Sequence, residues 1–174
     1  MKNEFLLDQA IANAISSAFQ RGRVYIQGLE ANDSRKVALR EALAKQLKSL
    51  STIYINAVAE ELHCQNIVIL ADSLTLQFKN SGILRDDRFR IGIAQKALNL
   101  YLKYLWCLGY IPAPPHCPID RRIIDKLNLS RSERTNIDWT KLDDIEKYKS
   151  LIHKCRKKAE NVSIAEWELK EWKL

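Results

Sequence analysis

Only five glycines and four prolines punctuate 174 residues, and all four prolines, Pro112, Pro114, Pro115 and Pro118, fall in one short segment. Long periodic stretches between so few breakers favour helices. Residues 4–19 repeat apolar groups at Leu7, Ile11, Ala14, Ile15, Ala18 and Phe19, a helical stripe that Gly22 ends. The pattern predicts an all-α fold, a compact helical domain spanning residues 1–174, and 47% hydrophobic residues are enough to give it a core.

Further along, Asp33 or Ser34 can cap a helix with Leu39, Leu43, Leu47 and Leu50 inward and Arg35, Lys36, Arg40, Lys45 and Lys48 outward. Ser51 or Thr52 opens a helical stretch toward Leu62, and residues 66–79 read as a more buried helix stopped at Ser81-Gly82. RVYIQGL, residues 23–29, is the one short alternating stretch and suits an extended conformation. After the connection LRDDRFRIG, an apolar helix runs from about Ile93 to Leu108 and stops at Gly109, and Asp120 starts a short one toward Leu127. Residues 139–160 carry Leu142, Ile145, Tyr148, Ile152, Cys155 and Ala159 at helical spacing. The capping box Ser163-Ile-Ala-Glu166 begins the last helix, which Trp167 and Trp172 fasten to the body.

Lysine and arginine outnumber the acids by 28 to 21, a net +7, which suits a polyanionic partner where the excess clusters. Cys64, Cys107, Cys117 and Cys155 show neither CxxC nor iron–sulfur spacing, and they read as reduced thiols of a cytoplasmic protein. His63-Cys64 and His116-Cys117 have no zinc-site spacing, so no metal and no cofactor is assigned. Glu4 and Asp8 stand where an export signal would need an apolar run, and the stretch from Ala97 to Ile111 is broken by Lys103 and too short to span a bilayer, so no membrane is expected.

The most informative segment is RIGIAQKALNLYLKYLWCLGYIPAPPHCPIDRRII, residues 90–124. In its helix Ala97, Leu98, Tyr101, Leu102, Leu105 and Leu108 form a broad inner face, whereas Lys96, Asn99 and Lys103 share one polar stripe expected to face solvent. The helix carries the chain about 18 Å beyond Lys96. Residues 109–119 could span about 35 Å, enough to return Asp120 to the lysine.

Gly92-Ile93-Ala94-Gln95-Lys96-Ala97-Leu98-Asn99 resembles the hairpin and second-helix start of the helix-hairpin-helix DNA glycosylases, in which a glycine turn leads to a catalytic lysine. Pro118-Ile119-Asp120 is similar to the later Pro-Val-Asp that supplies the family's aspartate. Ala94 stands where the hairpin usually has a second glycine, and Arg90-Ile91 replaces the common Leu-Pro. The long interval from Lys96 to Asp120 is closest in style to the archaeal 8-oxoguanine glycosylases. The hairpin and catalytic segment covers residues 84–124, followed by helices over 139–174.

The resemblance implies an enzyme that binds double-stranded DNA, flips out a modified base and cleaves its glycosidic bond, and a monomer is expected. Lys96 would attack C1′ and form a Schiff base, and Asp120 would stabilise the developing oxocarbenium charge. Arg85, Arg88 and Arg90, the turn at Gly92, Ala94 and Gln95, and Arg121 and Arg122 would hold the DNA, with backbone N–H groups on a phosphate. Tyr101, Tyr104, Trp106, His116 and Trp139 are the candidate walls of a base pocket. The base would be an oxidised purine such as 8-oxoguanine, or a hypermodified pyrimidine of phage DNA in a defence role. Two rivals remain: a non-catalytic helix-hairpin-helix DNA-binding module, and a helical protein-interaction subunit whose basic surface serves solubility.

Overall fold

The computed structural model describes residues 2–172, which form α1 (Lys2–Phe19), α2 (Ser34–Ser51), α3 (Glu60–Gln77), α4 (Ile91–Cys107), α5 (Arg121–Lys126), α6 (Arg131–Asn136), α7 (Ile145–Ala159) and α8 (Ile164–Glu171). Short 3-10 turns at Thr52–Ile55, Arg85–Asp87 and Trp139–Lys141 sit in the connections. No strand forms among the described residues. The alternating segment makes one antiparallel bridge, Tyr25 to Leu84, flanked by Ile26 N–H to Ile83 O and Arg85 N–H to Val24 O.

Caps were legible in advance. Asp33 accepts from Arg35 N–H at 2.9 Å, Asp120 from Ile123 N–H at 3.2 Å, and the Ser163/Glu166 box is present at α8. A second box, Ser130 with Glu133, opens α6, which the sequence reading did not single out.

The expected helix over 51–62 is replaced by the turn Thr52–Ile55, a break, and then α3 as one helix from Glu60 to Gln77. The cause is a side-chain tie. Buried Tyr54 meets His63 Nδ1 at 2.7 Å and accepts from Asn66 Nδ2 at 3.1 Å, which folds the turn back onto the start of α3.

α4 is the axis of the fold, packed by α1, α2, α3 and the Trp139–Lys141 turn. Ala10, Ala14 and Ala18 of α1 are buried and let that helix approach closely. The expectation that Lys96, Asn99 and Lys103 face solvent is overturned: all three are buried, as is Gln95. Residues 109–120, the Trp139 turn, α7 and α8 cover that stripe. A buried polar group without a partner costs about 1–3 kcal/mol, so the stripe works only because the covering layer supplies partners. Gln95 Nε2 donates to Ile119 O at 2.7 Å while its Oε1 accepts from Ile119 N–H at 3.0 Å. Asn99 Nδ2 reaches Cys117 O at 3.2 Å and Tyr148 Oη at 2.9 Å. Lys103 Nζ lies 2.6 Å from Glu168 Oε2 of α8, with the Trp172 ring 5.2 Å away. No helix among the described residues is long and apolar enough to cross a membrane.

Candidate functional site

Three of the residues singled out in the sequence converge. Lys96, in the second turn of α4, places Nζ 3.5 Å from Oδ2 of Asp120, the N-cap of α5. The Trp139 ring lies over the same nitrogen, 4.3 Å from its centroid. The Lys96 side chain is 11% exposed and that of Asp120 25%, so solvent reaches the pair from the carboxylate side. Burial pushes the Lys96 ammonium below the usual lysine range, Asp120 pulls it back up, and the charge of Arg21 adds to the lowering.

The loop reaches this point because α4 holds it. Gln95 clamps both backbone groups of Ile119, the residue before Asp120, and Asn99 holds Cys117 two residues earlier. Pro118 lies between these anchors with its φ fixed by its ring. The stripe that looked like a solvated face is therefore what delivers the carboxylate to the amine.

The other predicted contacts are placed differently. Gly92 is a helical position inside α4 and not a turn before it. Its N–H donates to Leu142 O at 2.7 Å, and Ile91 N–H donates to Asp143 Oδ1 at 3.0 Å, so Asp143 occupies the place expected for a phosphate. Ala94 and Gln95 are wholly buried, out of reach of a strand of DNA. Arg88 is held between Asp72 at 2.6 Å and Asp143 at 2.9 Å, and Arg90 is paired with Asp86 and reaches Thr140 O. Arg85 is half-buried in its 3-10 turn. Arg121 pairs with Asp125 at 3.2 Å, and Arg122 stacks on Trp172, 4.3 Å from the ring centroid.

Of the proposed pocket walls only Trp139 joins the lysine. Tyr101 is buried toward Ser51 and Lys48. Half-buried Tyr104 and Trp106 sit near the far end of α4, Trp106 about 15 Å along the helix axis from Lys96.

His116 belongs to a second buried cluster. Its ring meets that of His63 edge to face, with centroids 4.6 Å apart, and its Nδ1 lies 2.9 Å from Tyr148 Oη, which in turn accepts from Asn99. Burial holds both imidazoles neutral, pushed down to about 3; a proton on one ring would repel a proton on the other, and the charge of Arg156 adds to the lowering at His116. Glu60 stands 3.3 Å from His116 Nε2, but Arg156 already engages that carboxylate at 2.6 Å. A histidine whose folded-state value is depressed takes up its proton on unfolding, so folding stability falls as pH drops through 6.5 toward 3. We expect urea unfolding of the wild-type chain to lose about 1.4 kcal/mol per histidine for each pH unit well below about 6.5. A flat unfolding free energy between about pH 7.5 and about pH 5 would show that these rings are not held neutral.

Sequence reasoning missed the turn Arg21–Gly22–Arg23, which packs on the first turn of α4: a Cβ at Gly22 would lie 2.9 Å from Ile93 Cδ1. No local pattern signals that contact, since α1 and α4 meet only in the folded chain. The chain matched no protein-family model, no curated protein and no solved structure.

Proposed function

We propose that this protein is a DNA glycosylase acting as a monomer on a base flipped out of duplex DNA, with Lys96 as nucleophile and Asp120 as its partner. The observation that carries the reading is the water-poor pairing of an amine and a carboxylate 3.5 Å apart under the Trp139 ring. Burial favours the neutral amine that nucleophilic attack requires. The ordered segments resembling the glycosylase lysine and Pro-x-Asp supply the reaction class.

In this reading the Lys96 amine attacks C1′, the C1′–N bond breaks, and the base departs with the bonding pair. A proton leaves the new secondary ammonium for Asp120, which passes it to O4′ as the C1′–O4′ bond opens, leaving a hydroxyl at C4′ and a protonated imine between Lys96 and C1′. Before attack the carboxylate also stabilises positive charge developing on the sugar. The Trp139 ring must leave the amine for a sugar to enter, and it is the surface on which a flipped base would stack. An oxidised purine is the substrate the resemblance implies; a hypermodified phage pyrimidine is the other.

Borohydride reduction of protein mixed with a duplex carrying one abasic site tests the chemistry without knowledge of the base. A covalent adduct mapped to Lys96 supports the assignment. Absence of any adduct, together with no base release from oxidised or hypermodified duplexes, would remove it.

A further inference from the structure

The turn between α1 and the Tyr25 bridge carries two arginines that the interior does not use. Arg21 and Arg23 are both exposed, and neither makes an ion pair or side-chain hydrogen bond among the described residues. Four other arginines singled out near the site are occupied, Arg88 by Asp72 and Asp143, Arg90 by Asp86, Arg121 by Asp125, and Arg122 by the Trp172 ring, while Arg85 is half-buried beside the turn.

Both residues hold left-handed backbone, with φ of 65° at Arg21 and 50° at Arg23. Residues with side chains rarely adopt that conformation, and glycine takes it without steric cost. The turn keeps it because both ends are anchored. Gly22 N–H bonds Phe19 O at 3.0 Å, a Cβ at Gly22 would meet Ala18 O at 2.4 Å, and Val24 O accepts from Arg85 N–H at 2.8 Å. An anchored turn loses little conformational freedom when its side chains bind a ligand.

The turn packs beside the candidate site. Gly22 touches Ile93, one turn before Lys96. Arg21 is close enough for its charge to act on Lys96, and Arg23 on Asp138, the cap of the turn that bears Trp139. Asp138 itself is committed to Thr140, at 3.0 Å from its N–H and 2.6 Å from its hydroxyl. Two uncommitted guanidinium groups thus stand at the rim of the Lys96–Asp120–Trp139 site, and guanidinium forks match phosphate oxygens bidentately.

We infer that Arg21 and Arg23 form the phosphate clamp of the site, gripping the DNA backbone beside the nucleotide presented to Lys96. The position of that nucleotide rests on the glycosylase reading; the contact with DNA does not.

The test is the salt dependence of duplex binding by the full chain, comparing wild type, Arg21→Gly/Arg23→Gly and Arg21→Lys/Arg23→Lys. Glycine suits both left-handed positions, so the first variant should melt no lower than wild type. Its plot of log affinity against log salt should be flatter by about 1.8, two phosphate contacts at about 0.9 each. The lysine variant should keep the wild-type slope. An unchanged slope in the glycine variant, or no duplex binding by wild type at low salt, overturns the clamp. Borohydride trapping at saturating DNA separates the two ideas. A flatter slope in the glycine variant with no wild-type adduct leaves the clamp standing and removes the Schiff-base chemistry. A wild-type adduct with an unchanged slope does the reverse.

Discussion

Lys96→Gln abolishes the borohydride-trapped adduct on abasic DNA, while Asp120→Asn retains it at a rate lower by about 10²-fold and with an altered pH profile. The glutamine keeps much of the packing of the lysine stem but has no amine to form an imine. In Asp120→Asn the new side chain still caps α5, because asparagine is as good an N-cap as aspartate, so the fold around it persists. What the variant loses is the charge that pulls the Lys96 ammonium upward. Burial and Arg21 then act unopposed, so the neutral amine becomes available at lower pH. The trapping rate of wild type should rise with pH to a midpoint below the ordinary lysine value, and in Asp120→Asn that midpoint should lie lower still, with a reduced plateau. Wild-type and Asp120→Asn profiles that coincide, or a Lys96→Gln protein that traps as well as wild type, would show that some other amine reacts.

Gly92→Ala destabilises the chain by about 3 kcal/mol, against the usual sign for this exchange. In an ordinary helix interior alanine is favoured over glycine by about 1 kcal/mol. Here an added Cβ would stand 1.9 Å from the Trp139 carbonyl oxygen and 3.2 Å from Leu142 Cβ. The first is a contact with backbone, which no rotamer change can relieve. The 3-10 turn Trp139–Lys141 would have to lift from α4, breaking the 2.7 Å bond from Gly92 N–H to Leu142 O and drawing the Trp139 ring off Lys96. Urea unfolding at neutral pH measures the loss. A variant as stable as wild type would mean that the turn is not seated against α4.

The setting of Gly92 separates what a local motif says from what it does. In the sequence Gly92 reads as a turn that opens a helix onto a phosphate. In the folded chain it is the place where α4 lets a carbonyl approach, and a carboxylate from the residue before α7's cap, Asp143, takes the helix N-terminus. The glycine serves another purpose, while the chain from Lys96 through the proline loop to Asp120 does bring the amine and the carboxylate together.

Sequence alone determined the helical class, the caps at Asp120 and Ser163, the α2 cap as Asp33 or Ser34, and the inner faces of α1 and α2, because all of these depend on neighbours within a few residues. It also marked Lys96, Asp120 and Trp139. Only the tertiary structure decided that the polar stripe of α4 is internal. Lys96, Asn99 and Lys103 at i, i+3 and i+7 look the same whether water or a loop lies over them. Whether such a stripe can be buried depends on partners distant in sequence: Ile119 for Gln95, Tyr148 for Asn99 and Glu168 for Lys103. The same holds for the arginines. Arg88 and Arg90, which adjoin the motif, are neutralised by Asp72, Asp86 and Asp143, whereas Arg21 and Arg23, far earlier in the chain, are left free at the rim of the site. Charge can be read from composition, but whether it is already paired is fixed by which helices the core brings together.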